Sequence, residues 1–225
     1  MPINNYEGDT FVAFLDIAGF RELMQRKEAW KALDTFYEAG YHILRNQNQL
    51  NGYRVEGLFV SDSGILFVRN TRISRNSVDE LKLILGVIKQ VNQRMLENSF
   101  MLTTSIAYGK FKYQERIEFP GIEKNPIYGN AYVSAFLDNE NGSPKIQPGQ
   151  CRIITKNLPL SVTKEIELNT SNEMLKMIKQ RDGYRTHFYY YWMVKTPIAI
   201  EKFEQAYKDA YNLKFAGMLK ALKGC

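Results

Sequence analysis

Short apolar runs and period-two alternation recur along the chain, each bounded by turn-forming residues, and this pattern predicts β-strands. Ser61-Asp62-Ser63 separates the second predicted strand from the third, which is typical of a β-hairpin with an acid at its tip. The segment 111–119 is expected to pair back on the strand before it. The predicted strands span residues 11–16, 53–60, 64–68, 100–108, 111–119, 127–128, 151–155 and 186–193.

Amphipathic helices are predicted between these strands, because apolar residues recur there at three- and four-residue spacing. Ser77 and Glu80 have the spacing of a capping box at the start of the second helix. A loop is predicted over 139–149, which contains Asn-Gly-Ser-Pro, and a short helix with a linker over 158–182. The predicted helices span residues 20–47 with a break near 27–29, 76–96, 129–139 and 198–222.

The order of these elements predicts an α+β fold. Strand, helix, strand, strand, helix, strand is the order of a ferredoxin-like or palm core, in which a mostly antiparallel sheet carries helices on one face. We expect one domain over residues 1–225, with its core at about 8–155 and a C-terminal extension of a strand and a helix at about 156–225. The aromatic run 189–192 is expected at a sheet edge or a dimer contact, with half of it in the core.

Composition indicates a soluble globular protein. The chain is 44% hydrophobic and 24% charged, which is ordinary for such a domain. No apolar stretch approaches the roughly 18 residues of a membrane span. Cys151 and Cys225 lie too far apart to indicate a disulfide framework or a zinc site, and no secretory signal is visible. A cytoplasmic protein without membrane contact is therefore expected.

The net charge of +6 suits either a solvated basic surface or a polyanionic partner. The last predicted helix lacks the interleaved aromatic residues that single-stranded nucleic acid prefers. Much of the excess positive charge lies in or directly beside this helix, at Lys208, Lys214, Lys220 and Lys223. No nucleic acid partner is expected, whereas a nucleoside triphosphate is compatible with the charge.

Asp16, at the end of the first strand, and Asp62, at the hairpin tip, are the main candidates for chemistry. A buried carboxylate is costly without a compensating cation, and two facing carboxylates repel unless a divalent cation lies between them. Two Mg²⁺ ions about 3.5–4 Å apart can activate a hydroxyl and stabilise a leaving phosphate. The alternative is that Asp16 caps the next helix and Asp62 makes a turn.

The residues after Asp16 predict a tight turn that opens into a helix. Backbone N–H groups at a helix start favour phosphate, glycine permits a close approach, and a guanidinium can clasp a phosphate oxygen. The candidate phosphate-binding residues are Ala18, Gly19, Phe20 and Arg21.

Four segments resemble the motifs of the class III nucleotidyl cyclases, in the order that this family has them. The resemblance covers roughly residues 10–140. It implies a homodimer that binds a nucleoside triphosphate in active sites shared between the subunits. The segments are Phe-Leu-Asp-Ile-Ala-Gly-Phe at 14–20, Ser-Asp-Ser at 61–63, Thr-Ser-Ile-Ala-Tyr-Gly at 104–109 and Tyr-Gly-Asn-Ala-Tyr-Val-Ser-Ala at 128–135.

The resemblance also implies a metal site. Asp16, Asp62 and the backbone carbonyl of Ile17 would hold two Mg²⁺ or Mn²⁺ ions per active site, which makes the two aspartates the catalytic residues. One subunit would supply metals and phosphate contacts. The other would supply base contacts and the groups that stabilise the transition state.

The chain departs from the family at the positions that read the base and stabilise the transition state. The purine-reading residues of adenylate cyclases fall on Leu58 and Pro126, so adenine is not the expected base. The transition-state asparagine and arginine fall on Val133 and Leu137. The candidates to replace that pair are Asn130, Ser134, Arg54 and Arg116.

These departures resemble the stand-alone pyrimidine cyclases of bacterial anti-phage (Pycsar) signalling, which make cyclic UMP or cyclic CMP. The resemblance implies UTP as substrate, with CTP next. Tyr53 and Tyr108 are candidates to fill the base pocket beside Leu58 and Pro126, and each tyrosine fits a core position equally well. Two alternatives stay open: a catalytically inactive nucleotide-sensing or dimerising regulatory domain, and an adenylate or guanylate cyclase.

Overall fold

The computed structural model describes residues 3–46, 52–70, 76–119, 122–168, 172–180, 185–211 and 214–224. The strands are β1 (Tyr6–Ile17), β2 (Tyr53–Val60), β3 (Ser63–Asn70), β4 (Leu102–Tyr113), β5 (Arg116–Phe119), β6 (Ile122–Lys124), β7 (Ile127–Tyr128), β8 (Cys151–Ile154), β9 (Ile178–Gln180) and β10 (His187–Tyr190). The helices are α1 (Phe20–Gln25), α2 (Ala29–Asn46), α3 (Ser77–Glu97), α4 (Asn130–Asn141), α5 (Leu160–Leu168), α6 (Glu173–Lys176), α7 (Ala199–Tyr211) and α8 (Lys214–Lys223). None of the helices within these ranges is both long enough and apolar enough to cross a membrane.

One large sheet organises the described residues. Its order is β2-β3-β1-β4-β8-β10-β9, and β7 pairs with the last residues of β4. Neighbouring strands are antiparallel except β4 and β8, which are parallel. The first four strands have the 2-3-1-4 order of a ferredoxin-like core. The predicted α+β class and mostly antiparallel sheet are confirmed.

The side chains of β1 alternate between two apolar cores. Odd-numbered residues such as Phe11 and Leu15 belong to a large core with the apolar faces of α2, α3 and the C-terminal helices. Even-numbered residues such as Phe14 belong to a smaller core with Ala131 and Ala135 of α4. Helices therefore cover both faces, and the expectation of helices on one face is wrong. The reason is that the even-numbered side chains of β1 are also apolar and need a cover, which α4 provides.

Local signals predicted some element boundaries and missed others. The break near 27–29 is confirmed, since α1 ends at Gln25 and α2 begins at Ala29. The predicted capping box is wrong, because Asn76 rather than Ser77 accepts the N–H groups of the first turn of α3. An asparagine one residue earlier places its carbonyl oxygen at the same N–H groups.

Later elements differ more from the predictions. Residues 102–113 form one strand, since the alternation of buried side chains continues past the exposed Lys110, and β5 pairs with β6 instead of returning to β4. The segment 198–222 contains two helices rather than one. The aromatic run 189–192 is wholly buried, and β10 lies between β8 and β9. The prediction of a sheet edge or dimer contact there is therefore wrong.

Candidate active site

Asp16 and Asp62 lie at the same end of the sheet. Asp16 is the next-to-last residue of β1, and Asp62 stands in the tight turn between β2 and β3. The N–H of Ile17 donates a 3.0 Å hydrogen bond to the backbone carbonyl of Asp62. Ser63 Oγ donates one of 3.1 Å to Asp16 Oδ1. The structure thus brings together the two segments that carry the predicted metal ligands.

The surroundings of Asp16 favour a cation. Burial, followed by the nearby charge of Asp62, raises the pKa of Asp16 to about 7, while the bond from Ser63 acts in the opposite direction and Glu140 raises it slightly further. A divalent cation would offset both the desolvation and the repulsion. The oxygen donors offered by Asp16, Asp62 and the Ile17 carbonyl suit Mg²⁺ or Mn²⁺. These residues therefore fit a divalent metal.

The donor set is small. Among the described residues, no group of three His, Cys, Asp or Glu side chains is placed to hold a metal ion. Two carboxylates leave most coordination positions of a hard cation to backbone carbonyls, water or substrate oxygens. This is the usual arrangement where a phosphate substrate binds together with its metal.

The turn after β1 exposes Gly19 and begins a short helix. Gly19 has φ 73° and ψ 27°, a left-handed conformation that glycine adopts without strain. The N–H of Ala18 donates to the carbonyl of Met101 at 2.9 Å. The N–H of Ala18 therefore already has a partner in the sheet, while Ala18 itself lines the cleft beside Asp16, and its assignment to phosphate binding stays a prediction.

A cleft of about 640 Å³ opens beside Asp16, a volume within the range of small-molecule sites. Arg21 is exposed on α1 and does not line this cleft, and Phe20 packs its ring against the large core. The lining residues come from the turn after β1, from β4, from the end of α4, from the following loop and from α8, and they include Asp16, Gly19, Thr103, Asn139, Glu140, Lys145, Gln147 and Met218.

A buried ionic network adjoins the cleft. The Asp138 carboxylate accepts hydrogen bonds from Arg152 Nε at 2.7 Å and Nη2 at 2.8 Å, lies 2.8 Å from His187 Nε2 and accepts one from Ser105. Burial alone would raise the pKa of Asp138, but the bonds to His187, Ser105 and Arg152 hold it below its usual value. The network ties the end of α4 to β4, β8 and β10. It therefore positions the next residue, Asn139, at the cleft.

The structure separates the four base-pocket candidates. Tyr53 and Tyr108 belong to the large core, on the face of the sheet opposite the Asp16 side chain. Tyr53 is 1% exposed, and its hydroxyl accepts a backbone N–H at the start of α3. Tyr53 is therefore a core residue and not part of a base pocket, whereas Tyr108 is half-buried against the same core and its assignment stays a prediction. Leu58 packs on the same face as Asp16, and Pro126 is half-buried just before β7.

Two transition-state candidates lie in the first half of α4, and Asn130 is far from the Asp16 of the same subunit. The Asn130 side chain lies against Gly109, where a methyl group would clash with it, and Ser134 follows one turn later. Gly109 is six residues along β4 from Thr103, which pairs with Asp16. At about 3.4 Å per residue, this separation is roughly 20 Å.

The other candidates are also remote from Asp16. Arg54 lies at the far end of the β2–β3 hairpin, where it pairs with Glu56, and the side chain of Arg116 lies outside the described residues. Val133 and Leu137 are exposed on α4, at 45% and 49%. An active site that combines Asp16 with Asn130 or Arg54 would have to take these residues from a second subunit.

Sequence reasoning missed the cleft residues at and after the end of α4. The position of Asn139 could have been predicted, because it lies four residues after the buried Ala135 and so on the same face of the helix. Thr103 follows from the pairing of β1 with β4. Lys145 had no local signal, because residues far along the chain hold its loop.

Several solved cyclase structures resemble this chain. The dimeric guanylyl cyclase domain of the RhoGC fusion protein from the aquatic fungus Blastocladiella emersonii matches with a TM-score of 0.56 at 13% identity, over 83% of this chain and 97% of that one. The guanylate cyclase domain of RhGC from Catenaria anguillulae in complex with GTP matches with 0.54 at 13% identity, over 83% and 97%. The catalytic core of a rhodopsin-guanylyl cyclase with converted specificity, in complex with ATPαS, matches with 0.52 at 12% identity, over 84% and 97%.

Sequence comparison alone finds less. No protein-family model matches the chain, and no curated protein matches it either. At 12–13% identity, the structural likenesses show the fold and nothing finer. This fold is the one that the four sequence motifs imply. The chain has the class III nucleotidyl cyclase fold.

Proposed function

We propose that the chain is a metal-dependent nucleotide cyclase that converts a pyrimidine nucleoside triphosphate, UTP in preference to CTP, into its 3′,5′-cyclic monophosphate and pyrophosphate. The observation that carries the proposal is the meeting of the Asp16 and Asp62 segments at one end of a cyclase-like sheet. A cyclic nucleotide is a diffusible signal, and the sequence resemblance supports a second-messenger role in anti-phage defence.

The protein need not form a covalent intermediate during ring closure, because positioning and charge neutralisation supply most of the catalysis. Divalent cations held by Asp16, Asp62 and the Ile17 carbonyl would activate the ribose 3′-hydroxyl and neutralise the leaving pyrophosphate. The 3′-oxygen bonds to the α-phosphorus while the bond from that phosphorus to the β-phosphate oxygen breaks, and the hydroxyl proton passes to water. The bare turn at Gly19 leaves room for phosphates beside Asp16.

A second copy of the chain would complete the site. The helix α4 carries exposed apolar side chains, Val133, Phe136 and Leu137, and a contiguous apolar surface favours a protein interface. The matched domain from Blastocladiella emersonii is dimeric. A homodimer would bring α4 of one subunit towards the Asp16 of the other.

The preference for a pyrimidine is supported by the apolar residues at the base-reading positions. Neither Leu58 nor Pro126 offers a side-chain hydrogen bond to the edge of a purine. The nearer alternative, a guanylate or adenylate cyclase, is favoured by matched structures that hold GTP and ATPαS. The regulatory alternative is favoured by Val133 and Leu137, which cannot stabilise developing charge.

One assay separates these functions. The purified protein is incubated with UTP, CTP, GTP or ATP and Mn²⁺, pyrophosphate release is followed, and the product is identified by mass spectrometry. Cyclic UMP with less cyclic CMP is expected. A cyclic purine nucleotide would support the nearer alternative, and nucleotide binding without pyrophosphate would support the regulatory domain. Asp16→Asn should abolish the product, whereas Asp34→Asn, at an exposed position of α2, should retain it.

A further inference from the structure

The cleft beside Asp16 contains hydrogen-bond donors that the metal site does not use. Two of them, Asn139 at the end of α4 and Lys145 in the following loop, line the same cleft as Asp16 and Gly19. Neither belongs to the residues that the sequence motifs assign to metals or phosphates. Their chemistry identifies what the cleft can hold.

Asn139 presents a buried donor without an acceptor. Its side chain is 6% exposed, and its Oδ1 accepts a 3.0 Å hydrogen bond from Thr103 Oγ1, the residue paired with Asp16 in the sheet. Its Nδ2 has no partner among the described residues. A buried N–H without an acceptor is costly, so this amide is suited to a ligand oxygen that enters the cleft.

Lys145 adds a cation on a well-anchored stretch of backbone. Arg152 Nη1 donates to the carbonyl of Pro144 at 2.5 Å, and Gln147 Nε2 donates to the carbonyl of Lys145 itself at 2.9 Å. The next residue, Ile146, is buried. The structure shows no ion pair for the Lys145 ammonium within the described ranges, so its charge is available to an anion.

The C-terminal extension holds this loop in place. Trp192 Nε1 donates to the carbonyl of Gly149 at 2.8 Å, and the Tyr207 hydroxyl donates to the carbonyl of Pro148 at 2.6 Å. Leu222 of α8 packs so closely on Gly149 that a methyl group there would lie 2.6 Å from it. Met218 of the same helix lines the cleft. The extension is therefore part of the wall of the candidate site.

We infer that Asn139 and Lys145 form a polyphosphate subsite, which receives the β- and γ-phosphates of the substrate and the pyrophosphate that leaves, and that the C-terminal extension keeps this subsite in position. An amide N–H needs a hydrogen-bond acceptor and an ammonium favours an anion, and phosphate oxygens beside the Asp16 metal site supply both. The inference rests on the proposed function, because that function supplies the triphosphate. It also assigns to Lys145 the phosphate contact predicted for Arg21, which lies outside the cleft.

The test is binding of inorganic triphosphate in the presence of Mn²⁺, measured by calorimetry. Metal is included because Asp16 and Glu140 make the cleft acidic. Lys145→Gln is expected to weaken binding at least tenfold and Asn139→Ala about fivefold. Tyr207→Phe should weaken it about threefold, since the loop loses one anchor. Lys156→Gln, at an exposed position just after β8, is the matched control and should change binding less than twofold. Thermal melting checks that each variant is folded.

The outcomes distinguish this subsite from the proposed function. The subsite is supported and the cyclase is refuted if the wild-type protein binds triphosphate, Lys145→Gln does not, and the wild-type protein makes no cyclic nucleotide. The subsite alone is refuted if the wild-type protein makes cyclic nucleotide and the folded variants Lys145→Gln and Asn139→Ala have the same KM as the wild-type protein. Absence of triphosphate binding by the wild-type protein overturns the inference.

Discussion

The backbone carbonyl of Asp62 accepts a 3.0 Å hydrogen bond from the N–H of Ile17, the residue that follows Asp16. This one bond joins the end of β1 to the turn of the β2–β3 hairpin. The two acids therefore come from segments that the sheet itself holds side by side, and no flexible loop has to close to bring them together. A site built at the ends of paired strands in this way is preorganised before a metal arrives.

The first prediction concerns the pH dependence of stability without metal. Because burial and Asp62 raise the pKa of Asp16 to about 7, folding favours the protonated carboxyl. The stabilisation is complete below about pH 4 and is lost as the pH rises through 7. Between pH 4 and 8, the metal-free wild-type protein should lose on the order of 2 kcal/mol more than Asp16→Asn, after allowance for solvent screening.

Urea unfolding at several pH values, with a chelator present, measures this difference. Asp34→Asn is the control and should follow the wild-type protein. Added Mn²⁺ should flatten the wild-type pH dependence, because the cation favours the ionised carboxylate. Identical pH profiles for the wild-type protein and Asp16→Asn would contradict the electrostatic account of the site.

A second prediction concerns the buried network at the end of α4. Arg152 is fully buried, and its guanidinium is the main cationic partner of Asp138. Arg152→Met would leave a buried carboxylate with too few partners, which costs about 3–5 kcal/mol. Lys179→Gln, which breaks the exposed ion pair with Glu201, should cost less than about 1 kcal/mol. Denaturant unfolding measures the free energy of unfolding of both variants. Equal decreases would contradict the account, because the buried network would then stabilise the protein no more than an exposed ion pair.

A third prediction uses two glycines. Gly149 has φ +84° and lies against Leu222, so Gly149→Ala combines backbone strain with a clash and should lower the free energy of unfolding by about 1–3 kcal/mol. Gly86 lies inside α3, where a methyl group would touch only Met174 at 3.8 Å. Gly86→Ala should stabilise the protein by about 0.5–1 kcal/mol. Thermal melting shows whether each variant is more or less stable than the wild-type protein. A stabilising Gly149→Ala would contradict the described contact with α8.

A fourth prediction addresses the partner surface. Leu137 is 49% exposed on α4, and Leu137→Asp places a charge in the proposed dimer interface. The variant should sediment as a folded monomer, with the circular dichroism spectrum of the wild-type protein, and lose cyclase activity, and its melting temperature should fall only by the stabilisation that dimerisation supplied. Leu168→Asp, at another exposed leucine, should leave the oligomeric state unchanged. A Leu137→Asp protein that stays dimeric and active would exclude this face of α4 from the interface.

The cyclase-like core could be predicted because its signals are local. The apolar run that ends at Asp16, the hairpin around Asp62 and the Gly-Asn start of α4 each stand within a few residues. Their order was enough to indicate the fold, although no family model matches the chain. Even so, the face that α4 covers was not predictable, because both faces of β1 are apolar.

The cleft wall could not be predicted, because its contacts join residues far apart in the sequence. Asp138 meets His187 after 49 residues, and Tyr207 holds Pro148 after 59. No spacing rule connects such positions. For Tyr53 the sequence allowed both a base pocket and a core position. Its 1% exposure and the hydrogen bond that its hydroxyl accepts at the start of α3 show that it is a core residue.

The most direct measurement is the number of Mn²⁺ ions bound with 3′-deoxyuridine triphosphate, which lacks the attacking hydroxyl. The wild-type protein should bind two Mn²⁺ ions per active site in this complex, and Asp34→Asn should do the same. Asp16→Asn and Asp62→Asn should each lose this binding while remaining folded. Wild-type binding of fewer than two ions, or undiminished binding by either of the last two variants, would contradict the account.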